Sequence, residues 1–113
     1  MITDLELKYA KNIAEAIVAQ AVIDYRKALN QKRILETRLT ELVLIRNRNK
    51  DVEYKILEVK KELNNVERSQ IASLERFFRS EWCDFLTGDI IKGERIIQVV
   101  KKQSTSDRKR WFI

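Results

Sequence analysis

From Leu7 to Ile45 the apolar residues recur at steps of three and four, through Ile13, Ile17, Val18, Ala21, Val22, Tyr25, Ala28, Leu29, Leu35, Leu39 and Leu42. That spacing lines one stripe of an α-helix. Two series of seven lie inside it, Ala21, Ala28, Leu35, Leu42 and Val18, Tyr25, Lys32, Leu39, which make a coiled-coil-like seam with Lys32 as its one poor fit. Thr3, followed three residues later by Glu6, has capping-box spacing and predicts that the helix starts here.

The run Arg46-Asn47-Arg48-Asn49-Lys50-Asp51 contains no apolar residue, and its Asn and Asp side chains suit turns and helix caps. It predicts a reversal over about 47–51. A second seam follows, with Val52, Val59, Val66, Ser73 as one series and Ile56, Leu63, Gln70, Phe77 as the other. Folding the arms, about 4–46 and 52–86, against each other levels positions whose numbers sum to about 98. Leu42 then meets Ile56, Leu39 meets Val59, Leu35 meets Leu63, Lys32 meets Val66, Ala28 meets Gln70 and Ala21 meets Phe77.

Beyond residue 70 the apolar face widens to Ile71, Leu74, Phe77, Phe78, Trp82, Phe85 and Leu86, more than one partner helix covers. A short helix over about 93–102, with Ile96, Ile97, Val99 and Val100, is the expected cover, assisted by Ile90 and Ile91 of the connector. With Ile13, Ile17 and Ala21 these residues would form an aromatic head. Residues 103–113 read as a polar linker and a basic tail. The predicted class is therefore all-α: one domain over 1–113, built as a long antiparallel helical hairpin with a short C-terminal helix on the head. Val22, Leu29, Val43, Leu44 and Leu57 fall off the seam, and a homodimer, as a four-helix bundle, would bury them; a different protein on that stripe is the alternative.

Composition sharpens this picture. With no proline and two glycines, Gly88 and Gly93, the first 87 residues lack the usual helix breakers. The single cysteine, Cys83, excludes an internal disulfide and is expected to be buried as a small hydrophobe. No apolar run approaches a membrane span and no signal peptide is read at the N-terminus, so the expected location is the cytoplasm of a bacterial host. The net charge of +6 is unevenly spread: residues 26–50 carry eight Lys or Arg against two Glu, and 51–75 carry four against six acids.

That distribution selects the candidate contact residues. Arg26, Lys27, Lys32, Arg33 and Arg38 either track a phosphate backbone or are balanced by Glu58, Glu62 and Glu67 of the second arm. Arg46, Arg48 and Lys50 sit at the reversal. Arg108, Lys109, Arg110, Trp111 and Phe112 combine cations with stacking rings, a composition suited to single-stranded nucleic acid or a protein groove. Candidate chemistry is sparse. The chain has no histidine, no thiolate cluster and no glycine-rich phosphate cradle. The carboxylate pairs Glu58 with Glu62 and Glu81 with Asp84 have Lys55, Lys61 and Arg79 beside them and read as salt-bridged surface. No catalytic residue, metal or cofactor is expected.

Two stretches, IVAQAVIDYRKAL from Ile17 to Leu29 and LERFFRSEWCDFLTGDIIKGERII from Leu74 to Ile97, resemble segments of small helical proteins encoded by prophages and mobile elements of Gram-positive bacteria. There an AIVxQAVxDYRxAL helix precedes an FFRSEWFxxLT segment and a DGExLI helix. The chain departs from that pattern at Cys83, where an aromatic is expected, at Lys92, where Asp precedes the glycine, and in a longer charged stretch between the blocks. The resemblance implies a phage accessory protein that binds and obstructs or adapts a nucleic-acid-processing complex, an anti-CRISPR-type inhibitor of a nuclease effector being the most concrete version. Direct DNA or RNA binding by a dimer is the alternative, and an assembly device made of the hairpin alone is a third.

Overall fold

The computed structural model describes the backbone of residues 3–88 and 92–111. It is all-α, with no strand among the described residues. Helix α1, Asp4–Val43, is the spine. It begins as the capping spacing predicts, with the Glu6 N–H donating to Thr3 Oγ1 at 3.2 Å. At its far end the Leu44 and Ile45 amides fold back to the Thr40 and Leu42 carbonyls, and the chain reverses over residues 44–49. Asn49, in extended conformation, accepts from the Val52 N–H at 2.9 Å and so caps α2, Lys50–Asn65. The reversal thus lies a few residues before its predicted place. Asp51 sits inside the first turn of α2, where its charge favours the helix N-terminus.

The second arm is not one regular helix. Between α2 and α3, Ala72–Phe78, the segment Val66–Ile71 forms a π turn, and the Ala72 amide donates to the Glu67 carbonyl five residues back. A π turn admits one extra residue without breaking the helix. It corrects the predicted register: Gln70 and Ser73 are exposed, and Ile71 and Phe78 are buried where a strict repeat of seven placed Gln70 and Phe77. The cause lies in the apolar residues, which fall at 63, 71 and 78, so the extra residue carries the polar Gln70 outward. Lys32 remains level with the Val66 region, its ammonium reaching Glu67 at 3.4 Å and Glu36 at 3.9 Å while its stem lies half-buried on the seam.

The arm stops again at Arg79. Ser80 Oγ accepts from the Cys83 N–H at 3.3 Å and its hydroxyl donates to the Phe77 carbonyl, starting a separate α4, Glu81–Leu86, where one arm through 86 was expected. After α4, Gly88 takes φ 63°, the left-handed conformation that ends helices. Helix α5, Gly93–Trp111, then packs on α1 and α3. It extends well past residue 102, so the backbone of 103–111 is helix and not a linker with a tail.

The core centres on Tyr25 and Phe78, both fully buried, whose rings meet at 5.6 Å and 53°. Ile97, Val100, Val66 and Cys83 close around them. Tyr25 donates its hydroxyl to Glu75 Oε1 at 3.1 Å, and Glu75 also receives Lys101 at 3.4 Å and Arg79 at 3.7 Å, so one carboxylate ties α1, α3 and α5 together. Gly93 allows the closest approach: a Cβ there would lie 1.4 Å from the Phe78 carbonyl oxygen, so α5 seats its first turn directly on the α3 backbone. Val22, Leu29 and Ile96 pack partly buried against this core. The expected aromatic head is smaller than its sequence suggested, because Trp82, Phe85, Ile13 and Ile17 are exposed. Ile90 and Ile91 lie outside the described residues.

Candidate nucleic-acid interface

The cations of α1 divide by helix face. Lys32 turns to the second arm and pairs there with Glu67, while Arg38 lines a cleft with Glu41, Lys55, Glu58 and Glu62. Arg26, Lys27 and Arg33 lie on the other flank, where α1 runs beside α5. They line a groove of ≈ 530 Å³ together with Asn30, Gln103 and Ser104. Among the described residues its lining contains no carboxylate, whereas the cleft around Arg38 contains three.

Local geometry arranges this groove. Residues 26, 30 and 33 are spaced by four and three, so they stack on successive turns of α1. Arg26 Nη2 donates to Gln103 Oε1 at 2.6 Å across the groove, and Arg33 Nη2 donates to Asn30 Oδ1 along it. Both acceptors are neutral amides, so they hold the guanidiniums in place without cancelling their charge. Among the described residues none of the three cations is in an ion pair. Two guanidiniums held by neutral amides, with the Lys27 ammonium and a hydroxyl beside them, suit phosphate oxygens, which take forked N–H donors and further neutral hydrogen bonds.

The remaining predicted contact residues are dispersed. Arg46, Arg48 and Lys50 are exposed at the reversal, more than about 20 Å along α1 from Asn30 at 1.5 Å per residue. Arg48 there pairs with Glu53 at 3.6 Å. Residues 108–111 belong to the last turns of α5, which puts the backbone of Arg108, Lys109, Arg110 and Trp111 on the groove's own wall helix; their side chains and Phe112 lie outside the described residues. No protein-family model, no curated protein and no solved structure matches the chain. The groove therefore has to be read from its own chemistry.

Sequence reasoning misses Gln103 and Ser104, whose polar surroundings read as a linker. One signal was available, since Ile97, Val100 and Ser104 continue a single stripe at steps of three and four with no glycine or proline to end it. Arg79 was expected beside Glu81 and Asp84, but it bonds Glu94 at 2.7 Å across to α5. That hydrogen bond holds the Glu94 carboxyl below its usual range and raises the Arg79 guanidinium. Cys83 is fully buried as expected, and burial pushes its thiol up, with Asp84 adding to the effect. Among the described residues no three His, Cys, Asp or Glu side chains converge on a point that would hold a metal. Nor is any described helix long and apolar enough to cross a membrane.

Proposed function

We propose that this chain is a binding protein, not a catalyst, and that its α1–α5 groove takes the phosphate backbone of a nucleic acid. The observation that carries the reading is the described lining, basic and amide-bearing: Arg26, Lys27 and Arg33 with Asn30, Gln103 and Ser104, against the cleft around Arg38, whose described lining mixes both signs. The backbone of the wall helix continues through the Arg108-Lys109-Arg110 sequence. In the phage context implied by the resemblance of Ile17–Leu29 and Leu74–Ile97, such a protein would act on the nucleic acid of a processing complex and obstruct or adapt it.

The test is fluorescence anisotropy with labelled single- and double-stranded oligonucleotides across a salt series. Each phosphate contact adds about 0.7 to 0.9 to the slope of log affinity against log salt, so the three cations account for a slope of about −2 to −3. Replacing Arg26, Lys27 and Arg33 by alanine should flatten the slope by that amount, while the Arg46→Ala, Lys50→Ala variant keeps most of it. Absence of binding at low salt, or an unchanged slope in the triple variant, would overturn the reading.

A second reading has its own support. Trp82 and Phe85 stack at 5.7 Å and 16° while remaining 59% and 74% exposed, a pair of large rings offered to solvent. Exposed aromatics of this kind are frequent anchors of protein interfaces. On this reading the chain lies on a protein of the complex, as an anti-CRISPR-type inhibitor would. A pull-down that survives nuclease treatment and is lost in Trp82→Ala, Phe85→Ala would favour it over the groove.

A further inference from the structure

Helix α4 carries two large rings and two carboxylates that the fold itself does not use. Its buried anchor is Cys83, and the opposite face of the helix bears Trp82 and Phe85, stacked on each other and open to solvent. Glu81 stands one turn before Phe85 and one turn before Asp84, which places an acidic edge beside the rings. Every charge on α4 is therefore negative. Among the described residues neither carboxylate takes an ion pair or a side-chain hydrogen bond. Arg79, the nearest cation along the chain, is already engaged with Glu75 and Glu94.

The rings alone would suit three occupants: a nucleobase, an aliphatic side chain or a cation. The carboxylates decide among them. A nucleobase stacked here brings its phosphates up to Glu81 and Asp84, like charge against like. An aliphatic surface would strip water from the same carboxylates and return no hydrogen bond. A guanidinium satisfies both halves of the face: its plane lies on an aromatic ring, of which tryptophan is the strongest partner, and its N–H fork bonds a carboxylate. An ammonium lacks the flat face and the fork, so arginine fits better than lysine.

From this complementarity we infer that α4 docks an arginine-bearing basic segment of a protein partner, a guanidinium lying on the Trp82 and Phe85 rings and bonding Glu81, with Asp84 receiving a second cation of the same segment. The inference rests on the second reading above and names the chemistry of its partner. Proteins that handle nucleic acid carry such segments where they track phosphates. The two faces of the molecule would then suit the two components of one complex, the groove its nucleic acid and α4 its protein.

The probe is a fluorescein-labelled peptide with arginine at every fourth position among leucine and alanine, titrated with the full chain and followed by anisotropy. It should bind saturably, and its citrulline counterpart, which keeps the shape and loses the charge, at least about tenfold more weakly. Glu81→Gln, Asp84→Asn and Trp82→Ala, Phe85→Ala should each weaken the arginine peptide by about the same factor. Replacing Arg26, Lys27 and Arg33 by alanine should leave it unchanged. Glu81, Trp82 and Phe85 are exposed, so circular dichroism of each variant separates lost binding from lost folding. No binding, equal binding of the citrulline peptide, or indifference to the carboxamide pair would overturn the proposal. So would a labelled single strand that binds less well to the ring variant and better to the carboxamide variant. A pull-down lost in the ring variant but intact in Glu81→Gln, Asp84→Asn keeps the second reading and removes the arginine, whereas one intact in both removes the two together.

Discussion

Gly93→Ala sets two effects of opposite sign against each other. Intrinsic helix propensity favours alanine over glycine by up to about 1 kcal/mol in a helix interior, and by less at a first residue. Packing opposes it. The new methyl would stand 1.4 Å from the Phe78 carbonyl oxygen and 2.3 Å from its carbon, where ordinary contacts begin at 3.4 Å. Backbone atoms on both sides leave no flexible side chain to yield, so α5 has to withdraw from α3 by about 2 Å. Ile97 and Val100, each 2% exposed, lose much of their cover when it does. Full burial of such side chains is worth about 1.5–3 kcal/mol each, so losing roughly half of two of them, set against the propensity gain, leaves a net destabilisation of about 2 kcal/mol. For a chain of this size that lowers Tm by about 8 °C. Thermal melts followed by circular dichroism at 222 nm measure it directly. Gly88→Ala is the control: nothing lies within 4 Å of its Cβ, and only its positive φ is penalised, at about 1 kcal/mol. A Gly93→Ala protein as stable as wild type, or less affected than Gly88→Ala, would refute the close approach of α5 to α3.

Tyr25→Phe removes the hydroxyl that donates to Glu75 but leaves Lys101 and Arg79 on that carboxylate, so a loss of about 1 kcal/mol is expected by urea titration. Burial, and after it the Glu75 charge, raises the Tyr25 phenol above its ordinary value, so the unfolded chain ionises first. Its stabilisation is complete below about pH 10 and declines as pH climbs beyond that toward the folded-state value, and stability profiles from pH 8 to 12 should show a smaller decline in Tyr25→Phe. Deleting Gln70 should return Val66–Ile71 to regular helix and place Ile71 and Phe78 on the uninterrupted repeat of seven; urea titration should show undiminished stability, and collapse of the fold would argue that the π turn is required. Lys32→Leu exchanges two solvent-screened ion pairs for apolar cover on the seam and should stabilise by up to about 1 kcal/mol in the same assay.

The hairpin was legible because periodicity, the apolar-free run near residue 48 and the scarcity of glycine all point to the same fold. What escaped was the register beyond Val66. Repeats of seven predict buried Gln70, and only the competition between that polar side chain and Ile71 for one place on the seam decides in favour of an extra residue. The break at Ser80 was equally hidden: its capping role competes with a continuous apolar face, and face width alone gives no boundary. At the candidate interface, the run Arg26 to Arg38 was visible as charge. Which of its members meet acids depends on angular position around α1 and on α5 extending to residue 111, and neither follows from composition. The widened apolar face places Trp82 and Phe85 in the aromatic head, but α4 starts a new helix and carries them outward.

The seam between the arms also acts as an adjustable spacer. Because it repeats every seven residues up to the π turn, inserting one such unit into each arm at level positions would carry the reversal about 10.5 Å further from the groove while every side chain keeps its facing partner. The reach of the molecule and the chemistry of its basic surface are thus separate variables. Chains of graded stalk length, otherwise identical, would measure whether the distance between the reversal and the groove matters to what the groove binds.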